Sequence, residues 1–247
     1  MMSKGTLKQI LLLTDGHSNQ GEDPIAIAAL AREQGITVNV IGVVDGNHLN
    51  EQGIEEVEAI AQAGGGVSQV VYAKQLAQTV QMVTRKAMTQ TIHGVVNKEL
   101  SQILGQKQEM EDLSPAKRGQ VMEVVDELGE TMNLDVLILV DTSASMKNKL
   151  PMVQEALTDL SISLTSRMGA NRFALYSFPG KKKDIDKLLD WSPQLNSLSG
   201  IFQKLSSGGI TPTGPALQVA LEKFSKSGSR RSLMAGDEEQ LLEESGM

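Results

Sequence analysis

The sequence predicts a three-layer α/β domain, with a mostly parallel central sheet flanked by helices. Three observations carry that class. Short runs rich in Val, Leu and Ile recur along the chain, at Lys8–Leu13, Ile36–Val43, Val67–Tyr72 and Leu134–Val140, and read as strands buried on both faces. Segments with a helical apolar period follow these runs, the alternation that builds a parallel sheet with covering helices. Two of the runs end in an aspartate with turn or hydroxyl residues beyond it, Asp15 and Asp141. Ligand sites of open parallel sheets lie beyond such strand ends.

The elements follow in order. Lys8–Leu13 is the first strand and leads into Thr14-Asp15-Gly16. Asp23 and Pro24 start a helix as N-cap and first helical residue, Ile25–Gln34 supplies it, and Gly35 closes it. Ile36–Val43 is the second strand. A second helix, about Ile54–Ala63, carries Val57, Ile60 and Ala61 on one face and stops at Gly64-Gly-Gly66. Val67–Tyr72 is the third strand, and Leu76, Val80, Val83 and Ala87 trace a third helix.

From about Gln90 to Asn133 no strand signal occurs. Ile92, Val95, Val96, Ile103 and Leu104 keep a helical period that can prolong the third helix. Ser114-Pro115 is a fresh helix start, followed by Val121, Val124, Val125 and Leu128. The spacing predicts a helical connector, a two-helix hairpin packed on the main body. The alternation then resumes with Leu134–Val140, a helix over Leu150–Met168, a strand over Arg172–Phe178, and an antiparallel edge strand over Asp184–Trp191. A helix over Leu195–Leu205 and a Gly- and Thr-rich loop precede the last helix, which carries Leu217, Leu221 and Phe224. The expected organisation is residues 5–90 as one half, 91–133 as connector, 134–226 as the other half, and 227–247 as an acidic tail or short docking peptide.

Composition narrows the function classes. Apolar residues at 40% and charged residues at 21% describe a globular protein, and the scarcity of aromatics leaves the core to aliphatic residues and 12 Met. A net charge of −7 argues against nucleic acid as the main partner, because phosphate binding needs concentrated Lys and Arg. The chain has no cysteine, which excludes disulfides, thiolate zinc sites and Cys nucleophiles and suits a reducing compartment. Nothing approaches the roughly 20 apolar residues of a membrane span, and the apolar run Ile10–Leu13 is too short for a secretory signal. The expectation is a cytoplasmic protein without membrane contact.

The chemistry gathers at Asp141-x-Ser143-x-Ser145. One carboxylate and two hydroxyls at alternating positions turn three oxygens the same way as the chain leaves the sheet. Hard cations such as Mg2+ take oxygen ligands and keep water in the remaining positions. If the strands ending at Asp15 and Asp141 are neighbours where the winding reverses, their carboxylates converge, and Thr211 adds a third hydroxyl from its loop. Each piece also has a structural reading: Asp141 and the serines as caps of the following helix, Asp15-Gly16 and Thr211-Pro-Thr-Gly as turns. Asn19 and Asp45, also after strand ends, are assigned to turns. His17, His48 and His93 are each isolated, and only His17 is near the proposed site.

Together, Asp141-x-Ser143-x-Ser145, Thr211 in Gly-Gly-Ile-Thr-Pro-Thr-Gly-Pro-Ala-Leu, and Asp15 in Leu-Leu-Leu-Thr-Asp-Gly resemble the von Willebrand factor type A domain and its metal-ion-dependent adhesion site. The resemblance covers residues 6–90 and 134–226 and implies a Rossmann-like fold. The order of motifs departs from the family, where the Asp-x-Ser-x-Ser strand comes first and the Thr-Asp-Gly strand last. The chain therefore resembles a circularly permuted domain, with a similar order in type A proteins of spore-forming bacteria. By resemblance, Ser143 and Ser145 bind the ion directly, Thr211 directly or through water, and Asp15 and Asp141 mainly through waters. The implied cofactor is Mg2+, with Mn2+ as the alternative. The implied function is non-enzymatic capture of a protein partner's acidic side chain, the partner being of the AAA+ ATPase or signalling-enzyme kind, by a monomer or a domain-swapped dimer.

Two other functions stay open from sequence: a metal-assisted hydrolase of phosphate or acyl esters, and a metal-independent scaffold. Against the first, the chain has no Gly-x-Ser-x-Gly elbow, no phosphate-cradling Gly-Lys-Ser/Thr, and no Gly-x-Gly-x-x-Gly. It also displays no positioned base.

Overall fold

In the computed structural model, the described residues are 5–225 apart from 17, 45–50, 105–109, 182, 196–197, 204 and 206–207. The expected tail over 227–247, and His17, Asp45 and His48, lie outside them. Six strands form one sheet: β1 (Thr6–Thr14), β2 (Ile36–Val44), β3 (Gly65–Tyr72), β4 (Asn133–Asp141), β5 (Asn171–Phe178) and β6 (Asp186–Ser192). Their spatial order is β3-β2-β1-β4-β5-β6. All neighbours are parallel except β5 and β6, which run antiparallel. The chain winds outward from β1 to β3, crosses back, and winds the other way from β4 to β6, so the reversal falls between β1 and β4.

The alternation of side chains across each strand divides the core into two layers. Leu11, Leu13, Ile138 and Val140 face helices α3 (Leu76–Leu104), α4 (Pro115–Thr131) and α5 (Leu150–Leu164). Ile10, Leu12, Leu137 and Leu139 face α1 (Pro24–Glu33), α2 (Glu51–Ala63) and α7, the helix over 213–225. All eight strand residues are fully buried, each such side chain worth roughly 1.5–3 kcal/mol of transfer free energy. The short α6 (Leu198–Phe202) joins the first layer through Leu198 and Phe202. This is the expected three-layer α/β fold.

Local signals explain several element ends. Asp23 Oδ1 accepts from the Ile25 N–H at 2.9 Å and Pro24 opens α1, while Gly35, at φ 71°, follows its end. Two expected helices are shorter than the sequence indicates: α5 ends at Leu164 rather than Met168, and α6 occupies only Leu198–Phe202 of Leu195–Leu205. Past Leu164 the Thr165 and Ser166 hydroxyls donate to the backbone carbonyls of Ile162 and Ser163, satisfying helix-end acceptors locally. The glycines expected to end α2 also begin β3. A Cβ on Gly66 would lie 2.1 Å from the Val38 carbonyl oxygen, so only glycine allows β3 to approach β2 there.

The described residues of 91–133 are mainly helical, and the first part is not a separate element. Helix α3 runs without a break from Leu76 to Leu104, through the position where the connector was expected to begin. Arg167 ties the connector's second helix to the body. It donates to the Gly129 carbonyl at 2.7 and 3.0 Å and to the Met132 carbonyl at 2.8 Å, the otherwise unpaired acceptors at the end of α4. Burial lowers the Arg167 pKa, but the guanidinium remains charged.

Candidate metal centre

The register between β1 and β4 pairs Leu13 with Val140, which sets Thr14 level with Asp141 and Asp15 one residue beyond it at the carboxyl edge of the sheet. Asp141 is the last residue of β4 and is fully buried. Its Oδ2 accepts from the Thr14 hydroxyl at 2.7 Å, and its Oδ1 accepts from the Ser143 N–H at 2.7 Å. The second bond is a local Asx-type turn. It tightens the chain into a 3-10 turn over Ala144–Met146, which brings Ser145 back toward β1.

There the two halves of the chain meet. The Ser143 and Ser145 hydroxyl oxygens are 3.1 Å apart, and Ser145 donates to Asp15 Oδ1 at 2.8 Å across 130 positions. Asp15 Oδ2 is ion-paired with the Lys149 ammonium. Asp15, Ser145, Ser143 and Asp141 thus form one continuous polar chain at the winding reversal. The capping alternative does not hold: α5 begins at Leu150 with no side-chain cap, and the Asp141 carboxylate is spent on the turn before it.

Thr211 arrives from the side. A Cβ built on Gly16 would lie 3.8 Å from the Thr211 hydroxyl, so Thr211 faces the residue next to Asp15. Two tethers hold its loop. Asn19 Oδ1 accepts from the Thr211 N–H at 2.9 Å, and the Asn19 N–H donates to the Thr211 carbonyl at 3.2 Å. The Gly208 N–H donates to the Thr142 carbonyl at 3.1 Å on the other flank. Behind the loop, a Cβ on Gly214 would fall 1.9 Å from the Glu22 carbonyl oxygen, so the start of α7 packs directly on the backbone that follows β1.

All five residues singled out in the sequence therefore lie at one edge of the sheet. Four share a hydrogen-bond path, and Thr211 sits beside it. Three contributors were not foreseen. Thr14 stands in the quoted Thr-Asp-Gly motif, but no pattern showed that its hydroxyl reaches Asp141. Asn19, assigned to a turn, is also the clamp on Thr211. Lys149 gave no signal at all, being one of two lysines, with Lys147, just after the serine motif.

The donor set suits a hard cation: two carboxylates and three hydroxyls, all oxygen. Among the described residues no group of three or more His, Cys, Asp or Glu clusters as a metal cage, so softer or more highly charged coordination has no equivalent candidate. Burial raises the Asp141 pKa; the bonds from the Ser143 backbone and the Thr14 and Ser143 side chains oppose this, and the neighbouring Asp15 charge adds to it. A further cation at this edge would relieve that repulsion. No helix among the described residues is long and apolar enough to cross a membrane.

Fold and side chains define a Rossmann-like α/β domain with a cluster of carboxylate and hydroxyl groups at the topological reversal of its sheet. A family profile described as the von Willebrand factor type A domain matches residues 2–86, which include Asp15 but not the other four residues. The chain is 64% identical over 246 residues to the "Uncharacterized protein YabS" of Bacillus subtilis (strain 168), covering 100% of each. It is also similar to the crystal structure of an uncharacterized protein from Alicyclobacillus acidocaldarius, with 39% identity, a TM-score of 0.84, and coverage of 91% of this chain and 96% of that one. The chain belongs to the same family as the Bacillus subtilis protein, and its residues 2–86 carry the von Willebrand factor type A match.

Proposed function

We propose that this protein is a Mg2+-dependent protein-binding domain of adhesion or scaffold type. The observation that carries the reading is the path Asp15–Ser145–Ser143–Asp141, which joins oxygens from two distant parts of the chain at the sheet's ligand-binding edge. Ser143, Ser145 and Thr211 would hold the ion through neutral hydroxyls, with Asp15 and Asp141 acting mainly through water. A cation bound with few direct charges stays electron-poor, and it supplies a position for an acidic side chain of a partner. The partner is a protein, of the AAA+ ATPase or signalling-enzyme kind. The motif order, with β1 to β3 preceding β4 to β6, supports reading the domain as circularly permuted.

Isothermal titration with Mg2+ and Mn2+ tests the site. Binding by the wild type and its loss in Asp141→Ala are expected; no binding by the folded wild type, or equal binding by the variant, would refute the reading. For the partner, pull-downs with Mg2+ and with EDTA should differ in what they recover. If every specific partner is recovered equally in EDTA, metal-bridged capture is wrong.

A further inference from the structure

The Lys149 ammonium lies inside the centre rather than at its rim. The Lys149 side chain is 9% exposed and that of its partner Asp15 2% exposed. Its backbone is fixed as well: the Lys149 N–H donates to the Met146 carbonyl at 2.8 Å, and its own carbonyl accepts from Val153 at 3.0 Å, starting α5. A cation at that position opposes two costs. It leaves water, and it sits at the positive end of a helix dipole, where acidic side chains are favoured and basic ones are not. Asp15 is the charge that compensates both.

Asp15 does not need Lys149 for its orientation, because Ser145 already holds the other carboxylate oxygen. What Lys149 supplies is charge. Asp15 and Asp141 bring two buried carboxyl groups to one edge, and the lysine offsets part of that negative field when no other cation is there. A divalent ion entering the same oxygens meets a site whose attraction has been reduced by one positive charge a few ångströms away.

We infer that Lys149 is an internal counter-cation that competes with the divalent ion for Asp15, steadying the metal-free centre and setting its metal affinity low. The inference rests on the metal-site reading above. It makes metal binding an exchange of one cation for another, so the folded site would persist without metal and load only when the divalent concentration or a partner's carboxylate favours it.

The test is Mn2+ and Mg2+ titration calorimetry on the full chain, with Lys149→Met, Lys149→Gln and Lys149→Arg beside the wild type. Lys149→Met and Lys149→Gln should bind about tenfold tighter than the wild type, while Lys149→Arg, which keeps the charge, should not. In EDTA the two neutral variants should melt below the wild type, and added Mg2+ should raise their melting temperatures by more. Reductive methylation of the wild type, mapped by mass spectrometry, gives a readout that needs no variant: Lys149 should be protected in EDTA and become reactive in saturating Mg2+. Neutral variants that fold and bind at wild-type strength or weaker would overturn the inference and leave the metal site standing, as would Lys149 protection unchanged by bound Mg2+. If neither wild type nor variants bind either ion, the metal site and the inference fall together.

Discussion

Ser145 donates to Asp15 at 2.8 Å across 130 positions of chain, and no other side chain–side chain bond described at the centre reaches Asp15 from a serine. The bond exists because β1 and β4 are adjacent and parallel, so that two strand ends from opposite halves of the sequence leave the sheet at one level. It ties the two halves of the chain together at the centre.

A double-mutant cycle between Ser145→Ala and Asp15→Asn measures that closure. Ser145 is exposed, so the coupling in EDTA should be modest, about 0.5–1.5 kcal/mol by urea unfolding. Strict additivity of the two changes would show that the halves meet at this edge without holding each other.

Asn19→Ala should weaken divalent-ion binding without changing any charge, because it removes the Oδ1 acceptor that holds the Thr211 N–H. The loss should be about tenfold in the titration, and Asn19→Ala combined with Thr211→Ala should bind no worse than Thr211→Ala alone. Full additivity of the two losses would separate Asn19 from Thr211.

The pH dependence of the metal-free protein follows from Asp141. Its native pKa is raised above the ordinary value of 3.8, chiefly by burial. The folded state therefore holds the proton more readily than the unfolded chain. The stabilisation this brings is fully present below the unfolded value and is lost as pH rises through the raised native value. Asp141→Asn removes the titrating carboxyl. Urea titrations in EDTA from about pH 4 to about pH 8 should show the stability difference moving in the variant's favour as pH increases. A difference that does not vary with pH would mean that Asp141 is not the titrating group.

Arg167→Ala should destabilise the protein by about 1.5–3 kcal/mol, since it strips charged donors from the half-buried Gly129 and Met132 carbonyls at the end of α4. Hydrogen exchange should speed up in α4 before it does in β1 and β4. Uniform acceleration throughout the chain would indicate that the connector and the sheet unfold as one unit.

Local rules made much of the fold readable. Parallel, doubly buried strands announce themselves as apolar runs such as Leu134–Val140, and Asp23-Pro24 and Gly35 mark α1 at both ends because cap chemistry acts over a few residues. The length of α5 was less readable, because an apolar period does not reveal where Ser and Thr hydroxyls will take over the last carbonyls. Nor does it say whether α3 ends or continues near Gln90, since a continuing helix has the same period on both sides of that point.

At the centre, the sequence by itself determined the chemistry: five oxygen-bearing residues, Asp15, Asp141, Ser143, Ser145 and Thr211, each at a strand end or in a Gly-rich loop. Only the tertiary structure decided that they meet. The meeting depends on β1 pairing with β4, a contact set by sheet order and not by any neighbouring residue. The same step brought in Thr14, Asn19 and Lys149, whose side chains reach partners 127, 192 and 134 positions away. Spacing along the chain encodes which atoms face one way within a turn or strand; it carries no record of which distant charge will be folded against them.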